Sequence, residues 1–207
     1  MEFGEDQITR LLSLMRWRRD VRHFRTDPVP EVAIDRMREA VALAPSVGNA
    51  RPWRVLRVES PGIRAAVRDE FARCNAAAAE GYAGDRRAAY DRLKLAGLEA
   101  APLQLAVFCL EDPETGHGLG RQTMPETLRQ SAAMAVYALW LAARAQNLGL
   151  GMVSILEPRR IETLLGVPAG WRFLAWLCIG YPTFADDTPL LHRSGWQENS
   201  EPAWEAV

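Results

Sequence analysis

Four charged side chains lie within five residues near the amino end of the chain, in the run Arg18-Arg19-Asp20-Val21-Arg22. Arginine presents a planar fork of donors that binds phosphate oxygens in pairs, so this run could cradle a phosphorylated ligand. A charge run is more often a solvated face beside a helix, and that interpretation stays open. Asp20 is either an ion-pair partner that neutralises the arginines or a carboxylate that points into a site.

A second candidate is the loop APSVGNARPW at Ala44 to Trp53. Ser46 and Asn49 offer short hydrogen-bonding groups, and Gly48 allows a ligand to approach the backbone closely. The same residue types are typical of a plain turn between a helix and a strand. The loop therefore predicts either a ligand contact or a turn without one.

A third candidate is Ser154, in the apolar run GLGMVSIL that begins at Gly149. In such an apolar strand we expect a buried hydroxyl, which needs either a ligand or a backbone group as its partner. No His/Asp arrangement suggests that Ser154 is an activated nucleophile, which argues against a serine hydrolase. The sequence also has no Walker loop and no G-x-G-x-x-G run before a helix.

The composition limits the function classes. The chain has 207 residues, enough for one domain, and its 25 Lys and Arg against 26 Asp and Glu give a formal charge of −1. This balance argues against nucleic-acid binding and gives no electrostatic reason for membrane attraction. The three cysteines and three histidines are scattered, so we expect no metal site and a reducing, cytoplasmic location. The N-terminus lacks a signal-peptide pattern, and the longest apolar run is too short to cross a bilayer.

Hydrophobic periodicity predicts the elements that hold these segments. An amphipathic helix at Ile8–Met15 leads into the arginine run, and a second helix begins after Pro30 and ends at Pro45. Further helices are expected at about 61–79, 86–95, 125–148 and 158–165, and strands at 53–59, 103–110, 152–156 and 172–179. Helices that lead and then separate the strands imply an α+β fold.

The carboxyl-terminal segment from Tyr181 to Val207 has no periodicity, yet it carries Trp196 and Trp204. Two tryptophans are costly to leave in water, so we expect this arm to pack on another surface. A partner subunit is the natural candidate.

Taken together, these segments resemble the 5,6-dimethylbenzimidazole synthase branch of the nitroreductase-like flavoproteins. The similarity extends from about residue 6 to residue 197, and Asp20 and Ser154 favour this branch because ordinary nitroreductases usually carry serine where Asp20 stands. The matching segments are RRDVRHFR at 18–25, APSVGNARPWR at 44–54, GLGRQTMPETLRQS at 118–131, WLAARAQNLGLGMVSIL at 140–156 and GYP at 180–182.

The resemblance implies a single domain over residues 1–207, with a mostly antiparallel sheet flanked by helices. It also implies a domain-swapped homodimer whose arms, about 181–207, exchange, and whose two FMN sites lie at the subunit interface. Residues 92–95 would cover the flavin as a lid. The implied FMN-binding residues are Arg18, Arg19, Asp20, Val21, Arg22, Ser46, Leu93 and Ser154.

The implied reaction uses reduced FMN as the substrate. O₂ fragments the ring to 5,6-dimethylbenzimidazole, the lower ligand of vitamin B12, and erythrose 4-phosphate, without a metal. Asp20 would be the catalytic acid/base and Ser154 a second catalytic residue, while NAD(P)H would act only indirectly through a flavin reductase. Two alternatives stay open: a conventional NAD(P)H-dependent nitroreductase or flavin reductase, and a non-catalytic FMN-binding protein.

Two positions and one short segment depart from the family pattern. Arg51 replaces a usual glutamine before Pro-Trp, Met152 replaces a common tryptophan, and Gln197–Asn199 stands where relatives more often carry basic residues. We expect these departures to change FMN affinity and geometry rather than the class of reaction.

Overall fold

The computed structural model describes residues 1–205 and contains seven α-helices, one 3-10 turn and four β-strands within them. The helices are α1 Glu5–Trp17, α2 Glu31–Ala42, α3 Pro61–Ala79, α4 Gly84–Asp91, α5 Thr127–Ala145, α6 Pro158–Leu165 and α7 Leu190–Arg193. The strands are β1 Trp53–Arg57, β2 Leu103–Leu110, β3 Gly149–Val153 and β4 Trp171–Gly180.

The strands form one sheet in the order β1-β2-β4-β3, and every neighbouring pair is antiparallel. The expected α+β class with a mostly antiparallel sheet is confirmed. The central strands β2 and β4 are apolar apart from Gln104 and Arg172, because helices cover both faces of the sheet. The predicted strand 103–110 is confirmed at both ends, and the last strand is one residue longer at each end than expected.

Helices α2 and α5 cover one face of the sheet, and α3 and α6 cover the other. The side-chain alternation along β2 separates the two cores, with Leu105 and Val107 on one side and Ala106 and Phe108 on the other. The first core includes Met37, Val136, Leu139, Leu105 and Leu177. The second includes Val67, Ile161, Phe108, Phe173 and Trp176.

Two predicted boundaries near the candidate site are wrong. The strand expected at 152–156 lies at Gly149–Val153, so Ser154 follows the strand and is exposed rather than buried. Gly149 and Gly151, expected to mark the end of a helix, are strand residues. The helix expected at 86–95 ends at Asp91, which leaves residues 92–96 as irregular backbone.

The ends of the chain show apolar surface in the single subunit. No residue of α1 is buried within the described chain, although Ile8, Leu11 and Leu12 form an apolar stripe on it. Trp204 is 92% exposed, whereas Trp196 packs against α4 of its own chain. Exchange of the arm with a partner stays a prediction. Over residues 1–205, no helix is both long and apolar enough to span a membrane.

Candidate functional site

The arginine run is held in place by strand β3. After α1 ends at Trp17 the chain runs extended beside the strand, where Asp20 forms a parallel bridge with Leu150. The Val21 N–H donates to the Leu150 carbonyl oxygen at 3.0 Å. A Cβ atom on Gly151 would overlap the Val21 carbonyl oxygen, so glycine is required for this close approach of two backbones.

Asp20 lies between a backbone amide and an arginine. Its Oδ1 accepts a hydrogen bond from the Met152 N–H at 2.9 Å, and its Oδ2 forms an ion pair with Nη2 of Arg22. Burial raises the pKa of the Asp20 carboxyl above its usual value, while Arg22 and the Met152 amide oppose that rise. The side chain keeps 36% of its exposure in the single chain.

Arg22 is almost fully buried, at 12% side-chain exposure. Its Nη2 also donates to the Met152 carbonyl oxygen at 3.0 Å, but its buried Nη1 has no hydrogen-bond partner among the described residues. A buried donor without a partner costs free energy. Residues 18–22 are all at least partly buried, which argues against the interpretation of the run as a solvated face.

Arg18 and Arg19 add two more guanidinium groups. The Arg18 group stacks 4.7 Å from the Trp140 ring centroid, and its buried Nε lacks a partner in the part of the chain described. Arg19 donates from Nε to the Asp187 carbonyl oxygen at 2.8 Å. Burial and the neighbouring Arg18 charge lower the pKa of Arg19. The unsatisfied donors and the excess of positive charge suit a ligand that carries a phosphate.

These arginines line a cavity of about 260 Å³. Its remaining walls come from two segments distant in sequence, Lys94–Leu95 after α4 and Pro189–Leu191 at the start of α7. A second cavity of about 750 Å³ lies behind residues 93–97 and shares Arg22, Lys94 and Leu95 with the first.

The structure brings most of the predicted site residues together. Arg18, Arg19, Asp20 and Arg22 line the smaller cavity, and Leu93 lines the larger one behind it. Val21 supplies the backbone pairing to β3, and its side chain packs against Gly149.

Besides Val21, two predicted residues lie outside these cavities in the single chain. Ser154 is exposed, two residues beyond the amide that binds Asp20. Ser46 belongs to a separate loop, where its Oγ accepts a hydrogen bond from the Arg51 N–H at 3.0 Å. That loop is a tight turn with left-handed backbone at Gly48, Asn49 and Arg51, at φ of 54°, 54° and 46°. The turn itself is confirmed, and its contact with a ligand stays a prediction.

Sequence reasoning missed two parts of the site. The first is the aromatic platform of Tyr137 and Trp140 beneath Arg18; their i, i+3 spacing on one helix could have revealed it. The second is the wall made by Pro189–Leu191. No local pattern marks that wall, because it is defined only by a contact distant in sequence.

Comparison with known proteins identifies the family of the chain. The nitroreductase family model matches residues 15–181. A 5,6-dimethylbenzimidazole synthase of Rhodobacter capsulatus is 60% identical and covers 99% of each chain; one of Rhodospirillum rubrum is 54% identical, covering 89% of this chain and 88% of the relative. The structure of oxidised iodotyrosine deiodinase bound to FMN and 3-iodo-L-tyrosine is similar at a TM-score of 0.72 and 25% identity, covering 95% of this chain and 96% of that one. The chain therefore belongs to the nitroreductase family and, within it, to the 5,6-dimethylbenzimidazole synthase branch.

Proposed function

We propose that this enzyme makes 5,6-dimethylbenzimidazole by the O₂-dependent fragmentation of reduced FMN, with erythrose 4-phosphate as the second product. The observation that carries the proposal is Asp20, an acid held by the Met152 amide and Arg22 in the wall of an arginine-lined cavity. The identity to the synthases of Rhodobacter and Rhodospirillum supports the same reaction.

The residues present fit FMN through its phosphate. Arg18 Nε and Arg22 Nη1 are buried donors without partners within residues 1–205. Arg18, Arg19 and Arg22 line one cavity together with a single carboxylate, Asp20, and this excess of guanidinium groups suits a phosphate. The flavin supplies the electrons and the electron-rich ring that reacts with O₂. The chain's own residues then have three tasks: to hold the phosphorylated tail, to exclude water and to move protons.

The proposed role of Asp20 is to move a proton at its carboxyl group. Burial already raises the pKa of that carboxyl, and the Arg22 charge opposes the rise. A ligand phosphate bound by Arg22 would weaken the pull of that guanidinium on the carboxylate. The pKa would then rise closer to the pH at which the enzyme works, where a general acid/base is most effective.

A second subunit completes the proposed site. The cavity of about 260 Å³ is smaller than the ~300–1,000 Å³ of typical ligand pockets, and Ser46 lies away from it. We propose a homodimer in which each flavin also contacts Ser46 of the partner subunit. The unburied helix α1 and the exposed Trp204 are the apolar surfaces available for such an interface. A cytoplasmic location is also proposed, and the three free cysteines support it.

The proposal is tested by incubating the purified protein with FMN, an NAD(P)H-dependent flavin reductase and air, followed by mass detection of 5,6-dimethylbenzimidazole. We expect FMN to be consumed as the product appears, and chemically reduced FMN to replace the reductase and its nicotinamide. Oxidation of NAD(P)H over many turnovers by the protein alone, with its flavin intact, would instead indicate a conventional reductase. FMN binding without either outcome would indicate a non-catalytic binding protein.

Replacing the acid separates binding from chemistry. Asp20→Asn keeps an oxygen that can accept from the Met152 amide, so we expect FMN affinity within about threefold of wild type. Loss of the proton-transferring group should lower product formation at least about 100-fold. Calorimetry with FMN and chromatography of the aerobic reaction measure the two effects, with the exposed Asp27→Asn as the matched control. A wild-type product yield from Asp20→Asn would refute the role.

A further inference from the structure

The cover over the arginine-lined cavity consists of two segments nearly one hundred residues apart. Lys94 and Leu95 contribute one part, and Pro189, Leu190 and Leu191 contribute the other. Neither segment contains regular structure apart from the single turn of α7. The cover therefore depends on what anchors these two segments.

The first segment has little packing behind it. Residues 93–97 are irregular backbone that separates the small cavity from the one of about 750 Å³. Leu93 and Leu95 are only half-buried, and Lys94 is exposed. The segment follows directly from α4, an eight-residue helix that is too short to be stable alone. Gly97, which is buried against Phe24, anchors the carboxyl end of the segment, and the contacts of α4 set the position of its amino end.

Helix α4 has anchors on two sides. On the side of α3, the Tyr90 O–H donates to Asn75 Oδ1 at 2.6 Å, and Arg87 Nη1 donates to the Ala79 carbonyl oxygen at 3.0 Å. On its other side the partner is Trp196, in the carboxyl-terminal segment just after α7.

Trp196 contacts α4 through both its ring and its backbone. The Arg86 guanidinium carbon lies 3.9 Å from the ring centroid, and Arg86 Nη1 donates to the Trp196 carbonyl oxygen at 3.0 Å. The ring also meets Tyr82 edge-on at 5.4 Å and Tyr90 at 6.1 Å. These two tyrosines stack on each other at 4.9 Å, so one indole closes an aromatic cluster that includes the last turn of α4.

We infer that Trp196 is a positioning residue that fastens the carboxyl-terminal segment to α4 and so holds both parts of the cover over the cavity. Without the indole, only the hydrogen bond from Arg86 to the backbone carbonyl of residue 196 still ties Leu190 and Leu191 to α4. Residues 92–96 then lose one of the contacts that hold the helix before them. The tie joins the two parts of the cover, so both open together when it is broken.

The cover can be probed without any ligand because Lys94 is the only lysine in the chain. A lysine-specific protease can cut the native protein at this one site, and cleavage requires the surrounding backbone to leave the cover. We expect Trp196→Ala to be cut about tenfold faster or more, as the loss of one cation–π and two aromatic contacts implies. Trp196→Phe, which keeps a ring, should stay within about threefold of wild type.

Two further variants test whether faster cleavage is specific to the loss of the contact between Trp196 and α4. Glu201→Ala removes an exposed side chain of the same arm and should be cut at the wild-type rate. Arg86→Ala, which keeps the indole, should be cut faster than wild type. Cleavage of Trp196→Ala at the wild-type rate would overturn the inference. A cleavage rate that follows global unfolding in urea would also overturn it, because Trp196 would then be an ordinary stabilising residue.

A second readout rests on the proposed function. When water enters an open site, reduced FMN passes two electrons and two protons to O₂, giving oxidised FMN and H₂O₂ in place of the benzimidazole. We expect Trp196→Ala to raise the ratio of H₂O₂ to 5,6-dimethylbenzimidazole about tenfold, with FMN affinity within about threefold of wild type. A proportional loss of affinity and yield at an unchanged ratio would overturn the effect on the reaction. If wild type makes no benzimidazole, the proposed function alone is overturned. The protease rates still test whether Trp196 holds the cover over the cavity.

Discussion

The substitution Gly151→Ala tests whether the site depends on the absence of a side chain at position 151. A Cβ atom at this position would overlap the Val21 carbonyl oxygen, which belongs to the backbone and cannot rotate away. The segment that carries Asp20 and Arg22 would have to move from β3 by about 1 Å to reach an ordinary contact distance.

The cost of Gly151→Ala follows from the hydrogen bonds that such a movement strains. One joins two neutral groups, Val21 N–H and the Leu150 carbonyl oxygen at 3.0 Å. Two involve charged groups: the Met152 N–H with Asp20 at 2.9 Å, and Arg22 with the Met152 carbonyl oxygen at 3.0 Å. A neutral bond contributes about 1 kcal/mol and a charged one about 1.5–3 kcal/mol. Because local relaxation preserves part of these bonds, we expect a loss of about 2–4 kcal/mol in unfolding free energy.

Urea unfolding and FMN calorimetry measure the two consequences. Besides the stability loss, we expect FMN affinity to fall at least about tenfold, since the arginines move with the segment. Gly149→Ala is a graded comparison, because its Cβ would meet the Val21 side chain, with Cγ2 at 2.7 Å and Cβ at 2.9 Å, and no backbone atom. Gly62→Ala in the first turn of α3 has nothing closer than 3.8 Å and should be neutral or slightly stabilising. Wild-type stability and affinity in Gly151→Ala would refute the reasoning.

Two further predictions concern a buried carboxylate and an exposed hydroxyl. Hydrogen bonds from Arg73 lower the pKa of the buried Glu70 from 4.5 to about 2, so its stabilisation is complete above pH 4.5 and is lost as the pH falls towards 2. After allowance for the half-exposed Arg73, Glu70→Gln should cost about 2 kcal/mol near pH 7 in urea unfolding, and a cost unchanged at about pH 3 would contradict this. The exposed Asp69→Asn is the control. Ser154→Ala should lower the benzimidazole yield roughly tenfold without changing stability; an unchanged yield would make Ser154 a plain surface hydroxyl.

Local patterns in the sequence determined the elements and the character of the site. The apolar run at Leu103–Leu110 and the proline-led helices at 61–79 and 158–165 have the bounds that their residues predict. Such elements follow from side-chain periodicity and from proline or glycine signals within one stretch of chain. The arginine run likewise carries its positive charge wherever the chain places it, so a preference for a phosphorylated ligand could be predicted from the sequence.

Only the tertiary structure decided which groups meet. Local patterns place Gly149 and Gly151 at the end of a helix, yet both are strand residues because they pair with β4, opposite Gly180 and Cys178. That pairing moves the predicted strand by three residues and leaves Ser154 exposed. Asp20 is held by the Met152 amide 132 residues away, and Trp196 is fastened to α4 by Arg86, 110 residues away. No periodic pattern within one segment encodes such pairings, because they depend on how segments distant in sequence pack together.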